Sequence, residues 1–234
     1  MFYDYCMDFS DVDENRFALD GQSYTNSLVQ ATGQNFVHRA EDGTYYSNLD
    51  SPEIERAEQM LYDLTKNNCT YHEGNDYWAM RNDIYGGGMK EGLCLFYVCE
   101  TSFFTGTVEE ISAVWGDVTK GELMFAPLPR DDSGDGNYYL LTQINGYMLC
   151  SGARNPEGAA LLASCERFKI IDPTVVDIDR KQLEEKYYWT EEMLSMYDTC
   201  KEIASANPRA IVTGDMTDNV NSMVSTCLLY TSPS

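Results

Sequence analysis

Ahead of its longer apolar stretches this chain places a capping side chain directly before a proline, at Ser51-Pro52, Asn155-Pro156 and Asp172-Pro173. The capping oxygen accepts an orphan N–H of the first helical turn, and proline already holds the backbone angle that the first helical position needs. Each pair therefore dictates where a helix begins. Behind the first pair, Ile54, Ala57, Leu61 and Leu64 recur at helical spacing, one buried stripe on a helix of about four turns. Behind the second, Leu161, Leu162, Cys165 and Phe168 line one helical face. Asp172-Pro173 opens a short helix, and Thr190 caps another whose Met193, Tyr197, Cys200 and Ile203 face the core.

Short apolar pieces separate these helices. Phe17-Ala18-Leu19 reads as a strand, helical spacing follows around Ser27 to Ala31, and residues 38–48 read as a hairpin with Asp42-Gly43 at its tip. The rest of the first forty residues reads as acidic turns. Residues 93–98 are six apolar side chains in a row, which predicts a strand buried on both faces. Residues 109–115 predict a short helix. A second buried strand is predicted over 122–126, stopping at Pro127-Leu128-Pro129. After an acidic loop over 131–137, two strand pieces (138–141 and 147–150) flank Asn145-Gly146. Strands alternating with capped helices indicate an α/β architecture, without internal repeats.

A chain of 234 residues can bury one full core and part of a second. Its 43% hydrophobic and 12% aromatic content is that of a globular protein rather than a disordered one. No run of eighteen or more apolar residues is present, and Met1 to Ser10 lacks the basic and apolar regions of a signal peptide, so if the protein is secreted its export signal is expected upstream of this sequence. The net charge of −22, from 38 acidic and 16 basic residues, repels phosphate backbones and anionic lipid, so nucleic acid is not an expected partner. The 17 tyrosines offer flat apolar faces with polar tips, which suits wet polyhydroxylated ligands and equally suits a Tyr-rich core.

Eight cysteines include no CxxC pair and no cluster with His38 or His72, so no metal site is expected. Cys94, Cys150 and Cys165 sit in apolar runs, where cysteine behaves as a small buried hydrophobe, and the redox compartment stays open. Gly86-Gly87-Gly88 has no strand before it and no Lys-Ser/Thr after it, so it is not a phosphate loop. With no GxSxG, HExxH or Cys/His arrangement, no catalytic residue is assigned and no cofactor is expected.

Four segments carry a resemblance. They are residues 31–37 followed by Glu41-Asp42-Gly43-Thr44-Tyr45, the stretch Asn48 to Glu53 leading into the first capped helix, and Met89 to Phe96. The fourth runs from Gly121 through Pro127-Leu128-Pro129 and Gly146-Tyr147 to Asn155-Pro156-Glu157-Gly158-Ala159-Ala160. In this order and spacing, over about 17–168, they resemble the family 1 extracellular solute-binding proteins of ABC importers, the maltose-binding-protein-like group. Cys94-Leu95-Phe96 departs from the small residues and methionine usual there, and Arg154 stands for a usual lysine.

The resemblance implies a periplasmic-binding-protein-like fold of two α/β lobes with a ligand cleft between them, incomplete in this chain. Residues 1–143 would form the C-terminal lobe, 144–189 would cross to the N-terminal lobe, and 190–226 would be C-terminal helices. Residues 227–234 leave the style of the preceding chain and resemble translated adapter sequence. The implied protein is an extracytoplasmic, lipid-anchored, monomeric receptor that binds a carbohydrate and hands it to membrane permease subunits. Its cleft-facing segment would be Cys99 to Phe104, where Glu100, Thr101 and Ser102 can hydrogen-bond hydroxyls and Phe103 can stack on a sugar face. Gln22, Tyr24, Asn145 and Tyr147 are further ligand candidates, and Trp78 and Trp115 are weaker ones. For each, packing in the core or a solvated turn is the competing reading. A glycoside hydrolase, or a surface adhesion or scaffold module, is the alternative function; the first needs a pair of carboxylates at fixed separation, which 38 acidic residues neither establish nor exclude.

Overall fold

The computed structural model describes residues 1–21, 24–71, 89–142 and 149–210 and is a mixed helix and sheet fold. Its first element is α1 (Phe2–Phe9), where only acidic turns were expected. Phe, Tyr and Asp are poor helix formers, so packing rather than propensity holds it. Cys6 is fully buried, and Phe2 lies against Phe96 with ring centroids 5.1 Å apart.

Strand β1 (Phe17–Gly21) follows, with Ala18, Leu19 and Asp20 all fully buried. Helix α2 (Tyr24–Gln30) leads to the expected hairpin of β2 (Val37–Arg39) and β3 (Tyr45–Ser47), antiparallel in register Val37↔Ser47 and Arg39↔Tyr45. At its tip the Asp42 carboxylate accepts from the Thr44 N–H at 2.8 Å, and Gly43 takes the left-handed angle (φ +88°). The first capped helix is α3 (Pro52–Lys66), whose start is held by the Ser51 Oγ accepting from the Ile54 N–H at 3.3 Å. Ile54, Ala57, Leu61 and Leu64 are buried as the spacing predicts, each Leu or Ile contributing about 1.5–3 kcal/mol by leaving water.

Past α3 the chain turns at Asn68 (φ +56°) and runs back beside β1. The Leu19 N–H donates to the Cys69 carbonyl at 2.9 Å, and the Tyr71 N–H donates to the Leu19 carbonyl at 3.3 Å. On the other side of β1 lies β4 (Cys94–Val98), parallel and in register Phe17↔Cys94 to Gly21↔Val98. β1 is thus the middle row of three parallel rows.

The prediction that residues 93–98 are buried on both faces is corrected. Only Cys94 is buried, and Leu95 is 38% exposed. β4 instead separates two apolar clusters. Phe96 and Val98 join the one built on Leu19, Val29, Ile54 and Leu61, while Tyr97 and Cys99 join the one built on Phe104, Trp115, Trp189 and Met193. The alternation follows from the two-residue period of a strand.

A single 3-10 turn (Thr101–Phe104) joins β4 to α4 (Val108–Val114). That helix opens on a capping box in which the Thr107 side chain accepts from the Glu110 N–H and the Glu110 carboxylate accepts from the Thr107 N–H. The strand expected over 122–126 is absent: those residues make no ladder, and Met124 is 56% exposed. Their path follows side-chain packing, with Phe125 edge-on to Phe104 and to Trp189 at 5.1 and 4.8 Å. Strand β5 (Leu140–Thr142) pairs in parallel with β6 (Pro208–Ala210).

Helices α5 (Pro156–Ile171), α6 (Pro173–Glu185) and α7 (Glu191–Ala206) start where their caps predict, with Asn155, Asp172 and Thr190 each accepting a first-turn N–H. Met193 and Leu194 of α7 are buried, while Tyr197, Cys200 and Ile203 are half-buried, and Arg180 pairs with Asp198 to tie α6 to α7. The burial expected for Cys150 and Cys165 is corrected, since both are exposed. Leu161, Leu162 and Phe168 are 66%, 57% and 60% exposed as well. Helix α5 packs chiefly along α6.

Candidate functional site

Parallel strands leave a sheet on the same side, and in open α/β sheets ligands are held beyond the carboxyl ends of the strands. Here that edge is set by the pair Gly21↔Val98. Gly21 has φ +126°, and a Cβ on it would come within 2.3 Å of the Val98 carbonyl oxygen, so the last rung of the pair accepts only glycine. Beyond it the chain enters α2 at Tyr24, and beyond Val98 it enters Cys99 and the turn carrying Glu100, Thr101, Ser102 and Phe103. Two candidate segments some 75 residues apart in sequence therefore leave adjacent strand ends in the same direction.

Their side chains fare differently. Glu100, Thr101 and Ser102 are exposed, and the Ser102 Oγ donates to the Glu100 carboxylate at 3.3 Å. Phe103 is half-buried with its ring 6.2 Å from Trp115, while Phe104 is only 3% exposed. Trp115, 5% exposed, is a core residue ringed by Tyr97, Phe103 and Phe104. Tyr24 is half-buried, its hydroxyl hydrogen-bonded to Thr70, and burial pushes that phenol up to about 12. Gln22, Asn145, Tyr147 and Trp78 lie outside the described residues.

Behind this edge sits a residue that the sequence reading passed over. Asp20, fully buried, ends the apolar part of β1, and burial raises its carboxyl from 3.8 to about 6, partly opposed by the Gly21 N–H. Its charge also helps to raise the Tyr24 phenol and the thiol of Cys94, although burial is the larger cause for both. A lone aspartate between Leu19 and Gly21 was the available signal, since a carboxylate in a central strand seldom stays without purpose. Burial likewise raises Cys99 to about 12, so neither Cys94 nor Cys99 offers a thiolate nucleophile near neutral pH.

The edge therefore presents hydroxyls, one exposed carboxylate and partly buried aromatic rings, a set able to hydrogen-bond and stack on a polar ligand. Among the described residues no group of three or more His, Cys, Asp or Glu could hold a metal ion, and no helix is long and apolar enough to cross a membrane. Comparison with protein-family models, with curated proteins and with solved structures finds no match to this chain.

Proposed function

We propose that this chain belongs to a substrate-binding component of an ABC importer, a non-catalytic extracytoplasmic receptor that holds a carbohydrate in a cleft. The observation that carries the reading is the parallel register of β1 and β4, which releases Tyr24 and the Glu100–Phe103 turn from one edge. Receptor binding requires no nucleophile, only oriented polar groups and aromatic platforms on a rigid frame. Glu100, Thr101 and Ser102 supply the first, and Phe103 and Tyr24 the second. Gln22, Asn145 and Tyr147 complete the set that the resemblance implies.

The two-lobe form of the proposal draws support from α5. An apolar helix with Leu161, Leu162 and Phe168 mostly in water is what a segment crossing to a second lobe leaves behind when that lobe is not in the chain.

The test is a thermal-shift screen of the full-length protein against mono- and oligosaccharides, with product analysis of each mixture. A binding receptor gains stability in proportion to ligand excess over its dissociation constant and returns the sugar unchanged. Released glycosidic products would establish a hydrolase instead, and no shift with any sugar would favour an adhesion or scaffold module.

A further inference from the structure

Tyr188 occupies a position that the backbone reserves for glycine. The Tyr187 N–H donates to the Gln182 carbonyl at 3.2 Å and the Trp189 N–H to the Leu183 carbonyl at 3.0 Å, both wider spans than a regular helical bond, so the chain leaves α6 through a widened turn. Tyr188 lies between them at φ +56°, the left-handed residue of that turn. Glycine, or sometimes asparagine, is the ordinary occupant, because a Cβ there meets the following carbonyl. An aromatic residue at this point is a rarity that the surrounding structure must hold in place.

The holding is visible on the C-terminal side. Trp189 is 3% exposed, its indole N–H donates to the Phe104 carbonyl at 2.9 Å, and its ring meets Phe125 and Tyr197 edge-on. Burial gives no reason for the tyrosine, because Tyr188 itself is 53% exposed. A strained backbone that carries an exposed ring keeps that ring for something outside the fold.

The ring lines an open depression of about 420 Å³ whose other walls are Thr107, Val108, Glu109, Thr119 and Lys186. Hydroxyls, one carboxylate and one ammonium thus surround an aromatic face with no net charge between them. The Lys186 Nζ is engaged by the neighbouring Tyr187, 3.2 Å from its hydroxyl and 4.9 Å from its ring centroid. We infer that Tyr188 is the stacking platform of a neutral oligosaccharide site in this depression. Thr107, Glu109 and Thr119 bind hydroxyls at its margin. The site shares no residue with the strand edge at Tyr24 and Glu100, and the inference stands whether or not the chain serves an importer.

The experiment uses the full chain with maltotriose, cellotriose and xylotriose as probes, read by saturation-transfer NMR and by calorimetry. Three variants are compared: Tyr188→Gly, Tyr188→Phe and Tyr24→Ala. Tyr188→Gly is expected to raise the melting temperature by a few degrees while weakening binding of at least one trisaccharide tenfold or more. Tyr188→Phe, which keeps the ring, is expected to bind within about threefold of the parent. Unchanged binding in Tyr188→Gly, or no binding of any of the three probes by the parent, would overturn the inference. Loss on Tyr24→Ala alone would also overturn it while leaving the strand-edge site intact.

Discussion

The Cα of Gly21 stands so near the Val98 backbone, across the parallel pair β1–β4, that a side chain on it would start 2.3 Å from the Val98 carbonyl oxygen. Replacing Gly21 by alanine must push β1 and β4 apart or break the φ +126° turn into α2. The expected cost is about 2–4 kcal/mol. Urea unfolding checks this, and a variant as stable as the parent would show that the two strands do not meet as described.

Asp20 makes stability depend on pH in a particular direction. Its folded carboxyl is raised to about 6 from 3.8, so the folded state holds the proton more tightly than the unfolded chain. The contribution is fully present below about pH 4 and is lost as pH rises through about 6, a change of about 3 kcal/mol. Asp20→Asn removes this titration. The variant should be nearly as stable as the parent at pH 4 and more stable at pH 7.5, with the difference between the two growing across that interval.

Trp189 ties the carboxyl end of α6 to the turn after β4 through its hydrogen bond to the Phe104 carbonyl. Trp189→Phe keeps a ring against Phe125 and Tyr197 but leaves that buried carbonyl without its donor. A loss of about 1–3 kcal/mol follows. Equilibrium unfolding measures it, and near-ultraviolet circular dichroism reports whether the aromatic cluster stays ordered.

The exposed stripe of α5 predicts an effect on solution behaviour rather than on stability. Leu161→Ser with Phe168→Ser removes two large apolar side chains that are already mostly in water. Unfolding should move by no more than about 0.5 kcal/mol, while dye binding and self-association fall. A loss of several kcal/mol would mean that α5 is covered in solution.

Local signals were legible wherever one element decides its own shape. Ser51, Asn155, Asp172 and Thr190 each cap the helix that their sequence context predicts, and Asp42-Gly43 turns the hairpin. What failed depended on neighbours. Residues 122–126 have the composition of a buried strand but find no partner ladder, so Phe125 and Leu123 dock as isolated side chains. The apolar face of α5 follows from periodicity, which identifies apolar positions but not what covers them. Helix α1 was missed because its residues favour no helix in isolation; Cys6 and Phe2 hold it only after β1, α3 and β4 are assembled. At the candidate site the resemblance proposes the strand-end segments, whereas the buried Asp20 and its neighbour Thr70 depend on pairing across the middle strand.

The central claim is that the edge set by Gly21 and Val98 binds a sugar without changing it. The most direct measurement is the melting temperature of the full-length protein with and without each member of a sugar panel, repeated for Tyr24→Ala and Glu100→Gln. The account predicts a concentration-dependent rise with one sugar class, intact sugar recovered afterwards, and loss of the rise in both variants. A rise that survives both substitutions, hydrolysis of the sugar, or no rise with any sugar would contradict it.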